Sequence, residues 1–315
     1  MKNYLLHLGI IVLVTVSAVS CSQKAAGTYW IDNPTGEQIV VSVDDTEYTI
    51  PPTSGLDVEI EYGKHTLKYG DQSITVFVKS SVDKKVIINP TQSNYINYSQ
   101  LYVVDGTDDE TFESFYEHFI KINGDSIDIK IEGDTVRVFA PIKVYNDLFI
   151  EHTQNSWEYG LDENLADNAT IFSDTGEHFQ TSRKKIFREK ESWDFFNDGA
   201  LKDSDVEIII EKTAYKDLPR FNPVPENLAK VQGEKYQQFL QAYVDSYYEW
   251  FDKTGKETLG GPKPFDVVKE DSEFNKLKLE YRELYPNDPS FTDACYEYFN
   301  AHVPVQHRFN FLIID

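Results

Sequence analysis

The chain reads as an α+β protein: a small N-terminal β-sandwich followed by a mixed α+β domain whose last part is helical. Three observations predict this. From Thr28 to Ile88 short extended runs follow one another with turn residues between them at close spacing. Between Thr107 and Glu211 helical and alternating patterns interleave, and beyond Pro219–Pro225 apolar residues recur at helical spacing. The boundaries that follow are 28–92 for the sandwich and 93–315 for the α+β domain, helix-rich from 226, with a tether over 21–27 and a separate leading segment over 1–20 ahead of them.

The extended runs of the first module are Thr28–Ile31, Gln38–Val43, Glu47–Ile50, Val58–Glu61, His65–Tyr69, Ser73–Lys79 and Lys85–Ile88. Asp44-Asp45 is a two-residue hairpin signal, and Pro51-Pro52 stops the strand before it because proline cannot donate to a ladder. Ile31-Asp32-Asn33-Pro34-Thr35 and Ile87-Ile88-Asn89-Pro90-Thr91 both leave a strand through Asn-Pro-Thr, and together they bracket one module. Thr91 to Val104 is expected to be a link.

Thr107-Asp108-Asp109-Glu110 opens a helix, with acids where they suit its N-terminal dipole. Phe112, Phe115, Tyr116, Phe119 and Ile120 follow at helical spacing. Ile127, Ile129 and Ile131 alternate with polar residues up to Gly133-Asp134, and Val136 and Val138 resume the alternation, which predicts a hairpin. Further extended stretches are expected at Ile142–Tyr145, Leu148–Glu151, Trp157–Tyr159 and Val206–Glu211.

The C-terminal part predicts a long amphipathic helix over Glu226–Asp252 with Gly255 as its stop, and a second over Ser272–Tyr285 ended by Pro286. A third starts at Ser290 with Asp293 completing a near capping box. Arg308–Ile314 alternates as a final strand, expected to tie the helices to the middle region.

Composition bounds the functions. Fifty-three acidic residues against 30 basic ones give a net charge of −23, which repels nucleic acid and anionic lipid headgroups, so no nucleic-acid partner is expected. There are two cysteines, Cys21 and Cys295; the second lies in a helical pattern as a small buried hydrophobe rather than a nucleophile. Gly-x-Ser-x-Gly, His-Glu-x-x-His and cysteine pairs at ligand spacing do not occur in the sequence. Gly260-Gly261-Pro262-Lys263-Pro264 lacks the Gly-Lys-Ser/Thr of a phosphate loop. Asp105 to Glu110 lacks the alternating ligands of a calcium loop.

Glu297, His302 and His307 are the best metal constellation, but Pro304 and the five-residue histidine spacing argue against one face, so no metal or other cofactor is expected. Tyr243, Tyr247 and Trp250 suit a core more than a sugar-stacking platform. Arg183, Lys184, Lys185, Arg188 and Lys190 form a concentrated basic island: either a contact for an anion, a cell-wall polymer or an acidic partner, or ion pairing with Glu189, Glu191 and Asp194.

Met1 to Ser22 places Lys2 before an apolar run from Tyr4 to about Val16, then small residues, then Cys21. The order resembles a bacterial lipoprotein signal. Ala18-Val19-Ser20-Cys21 stands where that family carries its lipobox, with Ala18 in place of the usual leucine. The resemblance implies acylation of Cys21, export and membrane attachment in the cell envelope. Ser22 after the cysteine implies sorting to the periplasmic side of the outer membrane in a diderm cell. The run VSVDDTEYTIPPTSGLDVEIEYGKHTLKYG resembles PEGA-type and related immunoglobulin-like modules over Val41–Gly70, which implies a β-sandwich and no particular function. The expected protein is therefore a membrane-anchored envelope lipoprotein that binds or interacts without catalysis. An envelope hydrolase using unidentified carboxylates and an acidic immunity-type inhibitor of a basic partner are the alternatives.

Overall fold

The computed structural model describes residues 25–81, 85–131, 133–169, 180–197, 206–266 and 269–315. The signal-like segment and Cys21 lie outside these residues. The fold is α+β, with an N-terminal sandwich, a middle α+β region and a helical C-terminal part.

One sheet of the sandwich contains β1 (Ala26–Asn33), β4 (Ser54–Glu61), β7 (Val86–Ile88) and β12 (Phe149–Glu151), in the order β12-β7-β1-β4. The other contains β2 (Ile39–Val43), β3 (Thr46–Ile50), β5 (Gly63–Tyr69), β6 (Gln72–Val78) and β15 (Phe311–Ile313), in the order β15-β6-β5-β2-β3. Alternation sends Tyr29, Ile31, Val41, Val58, Ile60, Leu67, Ile74, Val76 and Ile88 into the shared core. The hairpin between β2 and β3 turns at Asp44, whose φ is +53°, a conformation aspartate tolerates better than most residues. Its carboxylate accepts the Thr66 N–H at 2.8 Å and binds the His65 ring at 2.7 Å, fixing β5 beside the turn.

The two Asn-Pro-Thr exits leave neighbouring strands, since β1 and β7 pair in parallel with Trp30 opposite Ile87. Asn33 and Asn89 are both buried. The Asn33 side-chain amide donates to the carbonyls of Glu37, Ile50 and Pro51, and that of Asn89 to Ser93 and Asp147. Each asparagine thus satisfies backbone groups that a departing strand would leave orphaned.

Both outer faces of the sandwich are covered. On the five-stranded sheet, Phe77 and its cross-strand partner Leu312 point outward into the helical core. The Phe77 ring meets Trp250 at 4.6 Å and Phe251 at 5.0 Å, edge to face. Those residues end α4 (Glu234–Phe251), which packs with α5 (Glu273–Leu284) and α6 (Ser290–His307). On the four-stranded sheet, Trp30, Ile87 and Ile150 face Tyr95, Trp157 and Ile186 of the middle region. That region holds two three-stranded sheets, β11-β8-β13 and β10-β9-β14, made of β8 (Tyr95–Val103), β9 (Asp125–Ile131), β10 (Asp134–Ala140), β11 (Ile142–Tyr145), β13 (Gln180–Arg188) and β14 (Val206–Ile208). It also holds α1 (Asp109–Asn123), the short α2 (His152–Asn155) and α3 (Glu189–Asn197), and Ile96, Ile127, Ile129, Ile142, Trp193, Val206 and Ile208 form its core.

Five expectations are corrected. Thr91–Val104 is not a link, because Tyr95–Val103 is the middle strand of a sheet. Its first residues are buried on both sides, so no alternation marks it. Trp157–Tyr159 is not a strand; it contributes one parallel bridge, Tyr159 to Lys185. The first long C-terminal helix begins at Glu234 rather than Glu226, since Gly233 adopts φ +81° and a 3-10 turn occupies Leu228–Lys230. Gly255 does not stop that helix, which ends at Phe251 with Asp252 as its cap. The C-terminal strand joins the helices to the sandwich, through β6, and not to the middle region. With β12 it supplies sandwich strands from beyond residue 92.

Glu151 locks that return. It is buried, and it accepts the N–H groups of Asn310 at 2.7 Å and Phe311 at 3.1 Å and the Asn310 side-chain amide at 2.7 Å. Burial raises its pKa from 4.5 to about 7 despite those donors and the attraction of Lys79. A carboxyl whose pKa is higher folded than unfolded contributes stability that is fully present below about pH 4.5 and lost as pH rises through about 7. Denaturant unfolding of wild type and Glu151→Gln at about pH 5 and about pH 8 tests this: the wild type should lose about 3 kcal/mol relative to the variant across the interval. Parallel profiles for the two proteins would assign the titration to another group.

Candidate functional site

The seam between the four-stranded sheet and the middle region opens into a cleft of about 300 Å³. Its walls come from β1 (Thr28, Trp30), β4 (Asp57), the entry to β7 (Lys85, Val86, Ile87), the loop Trp157–Glu163, and Ile186 of β13. Two indoles, aliphatic groups and charged side chains of both signs therefore converge, the mixture of an apolar floor and a few polar groups typical of small-ligand pockets.

The strand period places Trp30 here. Tyr29 and Ile31 occupy the sandwich core, so Trp30 and Asp32 must emerge on the opposite face. The Trp30 indole N–H donates to Asp32 at 2.8 Å, which fixes the ring. Gly55, opposite Asp32 on β4, makes room for it: a Cβ on Gly55 would lie 2.1 Å from Trp30 Cε2.

Asp32 is fully buried and accepts two further sets of bonds, from Tyr95 Oη at 2.7 Å and from Arg188 Nε at 2.9 Å and Nη2 at 2.7 Å. Arg188, also buried, reaches Glu191 of α3 at 2.6 Å and Asp162 of the cleft loop at 3.2 Å through Nη1. Burial opposes the charge on Arg188, but the bonds and attraction to Asp32 and then Glu191 outweigh it, and its pKa rises. Burial and the neighbouring Asp32 hold the Tyr95 hydroxyl well above the usual tyrosine range, so it stays a donor.

The cleft loop is fastened along its length. Lys185 Nζ donates to the carbonyls of Gly160 at 2.8 Å, Leu161 at 3.1 Å and Glu163 at 2.5 Å. Burial lowers the Lys185 pKa, against the pull of Glu191 and other nearby acids. Gly160 N–H donates to Glu163 Oε2 at 2.6 Å, and the Lys184 N–H to Glu158 at 2.6 Å. Trp157 is buried and meets the His152 ring edge to face at 4.8 Å.

The basic island is consequently not one surface patch. Arg188 and Lys185 point inward and are used by the fold, because every residue of β13 from Lys185 to Arg188 is buried. Arg183 and Lys184 are half-buried on the same strand, and Arg183 donates to Thr181 and the Ser182 carbonyl. Of the acids expected to pair with the island, Glu191 does so with Arg188, while Glu189 instead accepts from Asn94 and from the Ile208 N–H. Asp32 and Asp162 are further partners of Arg188.

The other sequence candidates are dispersed. Tyr243, Tyr247 and Trp250 are core residues of the helical part, and Cys295 is wholly buried, with burial pushing its thiol pKa well up. Glu297 accepts from the backbone and side chain of Asn227. His302 is buried against Tyr247, at 2.5 Å, and burial followed by the charge of His307 lowers its pKa to about 4. Among the described residues no group of three His, Cys, Asp or Glu side chains could hold a metal ion. Asp108 caps α1 by accepting the Thr111 N–H at 2.8 Å.

No protein-family model, no curated protein and no solved structure matches the chain significantly.

Two substitutions test how the cleft is built. Arg188→Met should cost about 3–5 kcal/mol in denaturant unfolding, because Asp32 is left buried and charged, and adding Asp32→Asn should recover part of that loss. Gly55→Ala should displace the Trp30 ring at a cost of about 1–3 kcal/mol, with a changed tryptophan emission spectrum as the readout.

Proposed function

We propose that the protein is an exported lipoprotein, held in the cell envelope by acyl chains on Cys21, that binds a small ligand in the seam cleft without transforming it. The observation that carries the binding reading is the preorganisation of the cleft: Trp30 is locked by Asp32, and the loop from Trp157 to Glu163 is tied by Lys185 before any ligand arrives. Binding is favoured when the groups that meet a ligand need no further ordering. The polar groups behind the cleft, Asp32, Arg188 and Lys185, are engaged in holding its shape, which supports recognition more than proton or group transfer. Anchoring is supported by the order of Lys2, the apolar run and Ala18-Val19-Ser20-Cys21. No helix among the described residues is long and apolar enough to cross a membrane.

Metabolic labelling with a palmitate analogue tests the anchor. Wild type should be labelled and sediment with membranes, and Cys21→Ala should be unlabelled; a labelled Cys21→Ala protein, or an unlabelled wild type, removes the reading.

A further inference from the structure

We infer that the seam cleft takes a neutral saccharide of one or two pyranose rings, a ligand class that rests on the binding reading above. The floor of the cleft is aromatic and aliphatic: Trp30, Trp157, Leu161, Ile87 and Ile186. A pyranose presents a face of C–H groups that packs on an indole, with its hydroxyls projecting around the edge. The Trp30 ring is half-buried, steadied at its N–H by Asp32 and resting against Gly55, so it offers a fixed platform.

The rim decides between ligand charges. Asp57, Asp162 and Glu163 supply acceptors, Lys85 supplies donors, and Thr28 supplies both. An anion would meet three carboxylates, and a cation would meet Lys85 together with an Asp162 already paired to Arg188. Hydroxyl groups both donate and accept, so a neutral polyol is the ligand that can hydrogen-bond to both signs of these exposed rim groups. The volume, about 300 Å³, is at the small end of ligand pockets and limits the bound portion to a short saccharide or the end of a longer one.

The test applies the full chain to a glycan array containing neutral, anionic and amine-bearing saccharides, with spermidine titrated against tryptophan fluorescence as a cationic control. Neutral glycans should bind, Trp30→Ala should weaken them about tenfold or more, and Asp57→Ala, an exposed substitution that leaves the core intact, should weaken them about tenfold. Circular dichroism of each variant checks that it is folded. Binding confined to anionic glycans, amine-bearing glycans or spermidine overturns the neutral-saccharide assignment while leaving a binding cleft. Neutral-glycan binding that survives both folded variants places the sugar elsewhere and overturns the site. No binding to any glycan and no response to spermidine overturns both the ligand class and the binding reading.

Discussion

Arg188 and Asp32 lie 156 residues apart in the chain and meet with both side chains buried, at 2.7 and 2.9 Å. Burying two charges is costly by several kcal/mol each unless their hydrogen-bonding capacity is used. Here Asp32 also accepts from Trp30 and Tyr95, and Arg188 also donates to Glu191 and Asp162. The pair therefore holds five parts of the chain: β1, β8, β13, α3 and the cleft loop. An apolar pair of similar volume could fill the same space, but it would not orient the indole or hold the loop.

The position of this pair follows from the sandwich having two covered faces. A small sandwich with one solvated face would alternate apolar and polar residues along each strand. In this chain the outward residues Trp30, Ile87, Ile150, Phe77 and Leu312 are apolar, so each sheet must be roofed. The helical part covers one and the middle region the other. The first roof is dense, with Phe77 packed among Trp250 and Phe251. The second is incomplete, and the cleft is the part of the seam that the middle region leaves open.

Much of the architecture was legible because it is local. All seven strands of residues 28–88 could be read from alternation and turn chemistry, as could the Asp108 cap and the hairpin at Gly133. What escaped was non-local. Strand β8 is buried on both sides at its start, and β13 carries Arg183, Lys184, Lys185 and Arg188, so neither shows a clean alternation. Their pairing over Tyr95–Val103 and Gln180–Arg188 turns apparent linker and apparent basic patch into one ladder. The cleft was not legible either, since Trp30, Asp57, Lys85, Trp157 and Asp162 come from distant segments. The only local hints were the even parity that puts Trp30 and Asp32 opposite the core and the glycine at position 55.

The same connectivity sets where the cleft stands relative to the proposed anchor. Thr28, which lines the cleft, is seven residues beyond Cys21. A fully extended chain covers at most about 3.3–3.6 Å per residue, so the cleft can lie no more than about 25 Å from an acylated Cys21 along that path. Without Lys2, residues 21–315 carry a net charge of −24, which would repel anionic headgroups within a Debye length of about 8 Å at physiological salt. Under the proposed acylation of Cys21, repulsion and a short tether would act in opposite directions, holding the sandwich close to the lipid surface without resting on it. The first strand that receives the tether is also the strand that carries Trp30 and Asp32. The proposed anchoring and the proposed recognition would thereby be coupled to one rigid element, and a ligand reaching the cleft would be met at the membrane-proximal end of the protein.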